Sequence, residues 1–203
     1  MQADAMVTRS VLSLSDYRRI PWKNGGGYTT EIATHPPGSG FASFAWRISV
    51  ADIEQDSPFS TFNGVDRTLV LLAGGGMRLT GEGEPLELRT PFEPVTFSGD
   101  RTLICNLVAG PVRDFNLMVR RGTARGDVVV RREGGEAIAP AETYVCYAAS
   151  GASECLVAGY PPISLAESQT LVVTSDDGVA TRGFSVNPLV TGSVALVAVI
   201  RPA

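Results

Sequence analysis

Thr68-Leu69-Val70-Leu71-Leu72-Ala73-Gly74-Gly75-Gly76-Met77-Arg78-Leu79-Thr80 is the stretch that decides the fold. A short apolar run meets three glycines and is followed by a second short run. Glycine supplies backbone conformations that other residues resist, and runs of this length bounded by turn residues read as strands. Working outward, the same style recurs. Phe44-Ala45-Trp46-Arg47-Ile48-Ser49-Val50 alternates, with Phe44, Trp46, Ile48 and Val50 on one side and Arg47 and Ser49 on the other. Further short strands are expected at 85–88, 95–97, 102–108, 114–120 and 127–131.

The second half follows suit. Residues 143–149, then Ser150-Gly151, then 153–158 read as a hairpin, and strands follow at 171–174 and 194–200. Leu69-Val70-Leu71-Leu72-Ala73-Gly74 and Tyr144-Val145-Cys146-Tyr147-Ala148-Ala149-Ser150-Gly151 both run apolar into a glycine turn. Helical signals are scarce: only 13–20 could hold a helical turn, capped by Ser13 or Ser15 and ended by Pro21. Many short strands at even spacing predict an all-β barrel or sandwich. With no low-complexity linker, residues 1–203 are expected to form one compact unit, with approximate sub-barrels at 12–110 and 111–203.

Composition narrows the function. The chain has 203 residues, 44% hydrophobic and 19% charged, with a net charge of −4. A packed core is expected. Basic residues form nothing longer than the pairs Arg18-Arg19, Arg120-Arg121 and Arg131-Arg132, so neither nucleic acid nor an anionic membrane is an expected partner. The cation load falls mainly on arginine, whose planar fork matches carboxylates. A small organic acid is therefore the expected ligand. Cys105, Cys146 and Cys155 form no C-x-x-C and are expected reduced and buried. No apolar signal segment marks residues 1–20, and a cytoplasmic location is expected.

His35 is the only histidine, and Thr34-His35-Pro36-Pro37-Gly38-Ser39-Gly40 reads as a solvated loop. A metal-dependent β-barrel enzyme ordinarily uses two or three imidazoles, so no metal or other cofactor is expected. Neither a G-x-S-x-G elbow nor a phosphate loop is present. Four segments stand out as candidate site elements. Pro21-Trp22-Lys23-Asn24-Gly25-Gly26-Gly27-Tyr28-Thr29-Thr30-Glu31 holds a plate, a cation, an amide and three glycines, suited to a ligand loop or to a tight bend. Arg47 and Ser49 share one strand face; if that face lines a cavity, Arg47 meets a ligand carboxylate or Glu31. Asp66 and Arg67 enter a buried strand, where the two could pair to hold the loop. Asp114, Asn116, Met118 and Arg120 share one side of their strand, which suits either a binding wall or a solvated face.

Together these segments resemble the HutD/Ves family of β-barrel proteins. The matching pieces are Pro21-Trp22-Lys23-Asn24-Gly25-Gly26-Gly27 with Thr29 and Glu31; Trp46-Arg47-Ile48-Ser49 with Ala51 and Ile53; Phe59-Ser60 with Phe62, Gly64 and Arg67; Leu71-Leu72-Ala73-Gly74; and Asp114-Phe115-Asn116-Leu117-Met118. One departure is Ser57-Pro58, where the resemblance leads one to expect glycine before the proline. The resemblance implies a cupin-like double-stranded β-helix fold, arranged as two barrels in one chain. It also implies a non-catalytic role beside histidine catabolism, with N-formylglutamate or urocanate as candidate ligands.

On this reading Trp22, Lys23 and Asn24 form one pocket wall, and Gly25 and Gly26 let the backbone approach the ligand. Arg47 or Arg67 forks onto a carboxylate, and Ser49 and Asn116 orient an amide or formyl group. Thr29 and Glu31 complete the candidate set. The alternative is a metal-independent isomerase or lyase with Lys23 or Glu31 as general acid or base. Strand edges also permit a homodimer.

Overall fold

A computed structural model describes residues 7–22, 25–175 and 178–203. Among them the regular elements are eighteen β-strands. Backbone contacts cluster into two units, called central and terminal for their place along the sequence. The central unit is Tyr17–Ala124; the terminal unit is Arg125–Ala203 with the described residues up to Asp16.

The first strand, β1 (Val7–Leu12), belongs to the terminal unit. The central unit contains β2 (Arg18–Pro21), β3 (Gly27–His35), β4 (Trp46–Ile53), β5 (Ser57–Phe59), β6 (Val65–Gly74), β7 (Met77–Gly81), β8 (Leu86–Leu88), β9 (Pro94–Ser98), β10 (Leu103–Leu107) and β11 (Val112–Arg120). They form a six-stranded sheet, β2-β3-β4-β11-β6-β9, and a four-stranded sheet, β5-β10-β7-β8. Ala51, Ile53, Leu69, Leu71 and Val112 of the larger sheet pack on Met77, Leu79, Leu88, Leu103 and Cys105 of the smaller. The larger sheet's opposite face is buried too, through Ile48, Val50, Val70, Phe115 and Leu117. Alternation in β4 and β11 thus separates two different linings rather than core from solvent.

Gly74 shows why the opening stretch needs glycine. Its φ is +99°, and a Cβ there would strike the Pro111 carbonyl and the Val112 backbone. The turn between β6 and β7 can therefore lie against the start of β11.

The terminal unit continues with β12 (Ala124–Arg131), β13 (Thr143–Ser150), β14 (Ser153–Val157), β15 (Ile163–Leu165), β16 (Thr170–Ser175), β17 (Phe184–Pro188) and β18 (Val194–Pro202). Its sheets run β1-β16-β13-β18-β12 and β15-β14-β17. The order β12-β18-β13-β16 repeats β4-β11-β6-β9, and β17-β14-β15 repeats β10-β7-β8. The two hairpins that look alike in sequence occupy the same place in each plan. Its core gathers Tyr144, Cys146 and Ala148 of β13, Leu171 and Val173 of β16, Phe184 and Val186 of β17, and Ala195, Val197 and Val199 of β18.

Three expectations meet the structure here. No ladder joins the two sheets of either unit among the described residues, so each unit is a pair of sheets rather than a closed hydrogen-bonded barrel. Residues 13–20 are not helical: Ser13 and Asp16 close a turn, with Asp16 N–H on the Ser13 carbonyl (2.9 Å) and Ser13 N–H on Asp16 Oδ2 (2.9 Å), and Arg18–Pro21 is a strand. All three cysteines are free and buried. Among the described residues no helix is long and apolar enough to cross a membrane.

Candidate functional site

Register in the central sheet builds the site. Across β4, β11 and β6, Arg47, Met118 and Arg67 stand in one row; Ser49, Asn116 and Leu69 form the next; Ala51, Asp114 and Leu71 the third. A ladder irregularity between Arg113 and Asp114 lies at the third row. All of these side chains except Leu69 and Leu71 line a cavity of about 520 Å³ within the central unit. Ile20, Trp22, Thr29, Ile53, Phe41, Pro58, Phe59, Ser60 and Phe62 complete its wall. It is mostly apolar, with a few convergent polar groups, the usual make-up of a small-molecule site.

Its polar groups are deeply buried: Arg47 is 3% exposed, Arg67 4%, Asp114 1% and Asn116 7%. Arg47 Nε donates to Glu31 Oε2 at 2.8 Å, and Nη1 donates to Ser49 Oγ at 3.1 Å and to Met118 Sδ at 3.8 Å. Its Nη2 is buried with no hydrogen-bond partner among the described residues. Arg67 donates from Nη1 to the Ser60 carbonyl at 3.1 Å, while its Nε is buried and unmatched. Three rings surround its guanidinium, Phe59 at 4.4 Å, Phe62 at 5.3 Å and Phe97 at 5.5 Å. Such contacts offset part of the lost hydration, by ~0.5–2 kcal/mol each.

Burial pulls the Arg67 guanidinium down to about 10, against the favourable field of Asp114. It stays charged at neutral pH. Burial likewise pushes the Asp114 carboxyl up to about 7; Arg67 opposes the rise and Asp52 adds to it. Asp114 Oδ1 and Asn116 Oδ1 are buried and unmatched among the described residues. A buried polar atom without a partner costs about 1–3 kcal/mol, so four in one cavity mark a place built for something else to complete.

Of the residues singled out in sequence, Trp22, Thr29, Arg47, Ser49, Arg67 and Asn116 line this one cavity. Trp22 is held there by its Nε1–H, which donates to Thr29 Oγ1 at 2.8 Å. Glu31 stands behind Arg47 as its ion-pair partner and is outside the lining. Gly25 and Gly26 are outside it as well. They shape the turn from β2 to β3: Gly25 takes φ +70°, its N–H meets the Trp22 carbonyl at 3.1 Å, and the Gly26 carbonyl accepts from Glu54 N–H at 2.9 Å. Lys23 and Asn24 lie outside the described residues. Asp66 does not pair with Arg67; it pairs with Arg121 at 2.6 Å. His35 is exposed at the end of β3 and stacks on Trp46, with ring centroids 5.8 Å apart.

The candidate set left out Asp114, Met118, Phe41, Phe59 and Phe62, which also line the cavity. Asp114 and Met118 were visible in the alternating row with Asn116. Phe41 lies in the segment between β3 and β4, which carries no periodicity. Arg120 fixes that segment, donating from Nε to the Phe44 carbonyl at 2.9 Å and from Nη2 to the Phe41 carbonyl at 3.0 Å. Among the described residues no three His, Cys, Asp or Glu side chains gather into a set that could hold a metal ion.

Known proteins agree on the class. The chain is an all-β protein with cupin-type structural neighbours, among them a cupin barrel domain protein from Leptotrichia buccalis (TM-score 0.53, 9% identity, covering 91% of this chain and 96% of that one). It belongs to the HutD family, whose model matches residues 14–187. An uncharacterized 21.2 kDa protein of the hutC 3' region in Pseudomonas putida is 41% identical over 149 residues, 73% of this chain and 78% of that protein. Protein Ves of Citrobacter koseri is 37% identical over 119 residues, 57% of this chain and 61% of Ves. HutD from Pseudomonas fluorescens, solved in a formate condition, superposes with a TM-score of 0.78 at 32% identity, covering 97% of this chain and 100% of that one.

Proposed function

We propose that the central cavity binds a small organic acid and that the protein acts beside histidine catabolism as a binding component rather than a catalyst. N-formylglutamate and urocanate are the candidate ligands. The observation that carries this is the pair of buried arginines, each with an unmatched N–H in an apolar cavity. A carboxylate supplies the acceptors these donors lack, and charge-assisted bonds of that kind are about twice as strong as neutral ones. Two comparisons support the reading: the P. putida relative is named for its place beside hutC, and the P. fluorescens HutD structure was obtained with formate, the smallest carboxylate. We take the repeated strand order as two cupin-type halves in one chain, with only the central half serving the ligand.

A metal-independent enzyme is the second reading. Asp114 favours it, since a buried carboxyl near neutrality in a cavity is suited to proton transfer.

Thermal unfolding with histidine, urocanate, glutamate, formylglutamate and formiminoglutamate tests the proposal. One acid should raise the melting temperature, and Arg47→Ala and Arg67→Ala should each lose that rise. No rise with any acid, or a rise kept in both variants, overturns it. Following the stabilising acid by NMR separates binder from enzyme: a binder returns it unchanged.

A further inference from the structure

Each of the four sheets has two edges, and the fold blunts most of them. Six of these eight edge strands are only three to five residues long: β2, β5, β8, β9, β15 and β17. Four of the six also carry a proline, Pro21, Pro58, Pro94 or Pro188, which cannot donate to a further strand. β1 has six residues. β12 is the exception: an edge of eight residues without proline, carrying Val128-Val129-Val130, a run of high strand preference. The repeated plan shows what is missing beside it. Beyond β4 the central sheet continues into β3 and β2; beyond β12, the counterpart of β4, the terminal sheet has no strand among the described residues. A long edge with no blunting device is a template for another strand.

We infer that β12 is a self-association edge, at which two copies of this chain pair β12 with β12 antiparallel about a two-fold axis at Val129. Two five-stranded sheets then become one continuous sheet. Charge chooses this register. Alternation puts Arg125, Asp127, Val129 and Arg131 on one face of the strand. With the axis at Val129, Asp127 of each copy stands opposite Arg131 of the other, and Val128 opposite Val130. Arg125 comes level with Glu133, just past the strand's end. Moving the axis to Val128 sets Arg125 against Arg131; moving it to Val130 sets Asp127 against Glu133. Opposite charges facing each other across two strands stabilise the pair, and like charges destabilise it. Neither Asp127 nor Arg131 is well matched within one chain. Asp127 is 80% exposed and lies 3.6 Å from Arg201. Arg131 reaches Glu136 only at 3.9 Å, and its Nε is buried without a hydrogen-bond partner among the described residues. A two-fold contact uses one patch twice and closes on itself, so it covers the edge without leading to a filament.

Sedimentation velocity of the full chain at concentrations up to ~100 μM tests this. The parent chain should reach twice its monomer mass. Asp127→Arg and Arg131→Asp should each stay monomeric, because each sets like charges against one another on both sides of the axis. Mixed in equal amounts, the two variants should recover the dimer, since the acidic strand of one then faces the basic strand of the other. A parent chain that stays monomeric overturns the inference. So does a dimer kept by both single variants, or a mixture that stays monomeric while both variants unfold cooperatively. Hydrogen exchange of the parent chain gives a reading that needs no variant. The amides of residues 125–131 should gain protection about tenfold or more as the dimer forms. A dimer in which their exchange is unchanged overturns the inference as well.

Discussion

The central and terminal units repeat one strand order but fill their interiors differently. In the central unit the inward positions of β11 are Asp114, Asn116 and Met118, and Arg67 enters from β6. In the terminal unit β18 presents Ala195, Val197 and Val199, and β13 presents Tyr144, Cys146 and Ala148. Tyr144 stacks on Phe184 with centroids 4.5 Å apart. Its hydroxyl is 2.9 Å from the Ala141 N–H and from the Ala139 and Thr181 carbonyls, so its polar end is satisfied. One interior is closed by aromatic and aliphatic packing; the other gathers four unmatched polar atoms around open space, whereas among the described residues the terminal unit's unmatched atoms line no such cavity. A β framework therefore tolerates conversion of a core into a cavity by changing a handful of inward side chains, at a cost in stability.

The largest expected effect breaks the packed interior. Tyr144→Ala should destabilise the protein by about 3–5 kcal/mol in urea unfolding. A loss below ~1 kcal/mol would show that this ring does not hold the terminal core.

Asp114→Asn sharpens the contrast from the other side. The Asp114 pKa is raised from 3.8 to about 7, so the folded state holds a proton that the unfolded chain releases earlier. Stability from this group is full below pH 3.8 and drains away as the pH rises to about 7. The total is about 4 kcal/mol at 1.36 kcal/mol per pH unit. Arg67 and Asp52 set the carboxyl's surroundings and are present in both proteins. Melting curves from pH 4 to 8 should show the variant gaining on the parent chain across this window. Parallel curves would mean that Asp114 titrates as an ordinary carboxylate.

Arg67→Met replaces a buried charge with an apolar chain of similar length. It should abolish any acid-induced melting shift and lower stability by about 3 kcal/mol, since removing one buried charge leaves Asp114 without the cation that opposes it. A variant that is still acid-responsive would contradict the cavity's polarity serving a ligand. The smallest effect is Trp22→Phe, which removes one bond to Thr29 and should cost about 1 kcal/mol in the same assay.

The strand plan was legible wherever apolar runs meet glycine, as at 68–80 and 143–158. It failed where strands lie at a sheet edge or use polar residues. Val7–Leu12 is an edge strand with alternating exposure, and its Thr8, Arg9 and Ser10 give no apolar run to read. Ser13 and Asp16 resemble a helix cap because a turn and a helical first turn use the same side-chain bond. At the site, the alternation of β4 and β11 showed that Arg47, Ser49, Asp114 and Asn116 are set apart from their apolar neighbours. It could not show that both faces are covered, because periodicity records a difference between faces and not the exposure of either. The glycines after Trp22 left a ligand loop and a tight bend both open, since a positive φ looks the same in sequence whatever it is for; Gly25 takes φ +70° and stands outside the cavity lining.

The pairing of β1 with β16 has a consequence for the order in which the chain becomes complete. Thr8 is matched with Thr174, so the partner of the first strand is made last but for two strands. Synthesis at about 5–20 residues per second separates the two by roughly 8–30 seconds. Tyr17–Ala124 is continuous and has its whole sheet pair within that interval. On the ribosome, then, every strand of the cavity-bearing unit has been made while the first strand still lacks its partner.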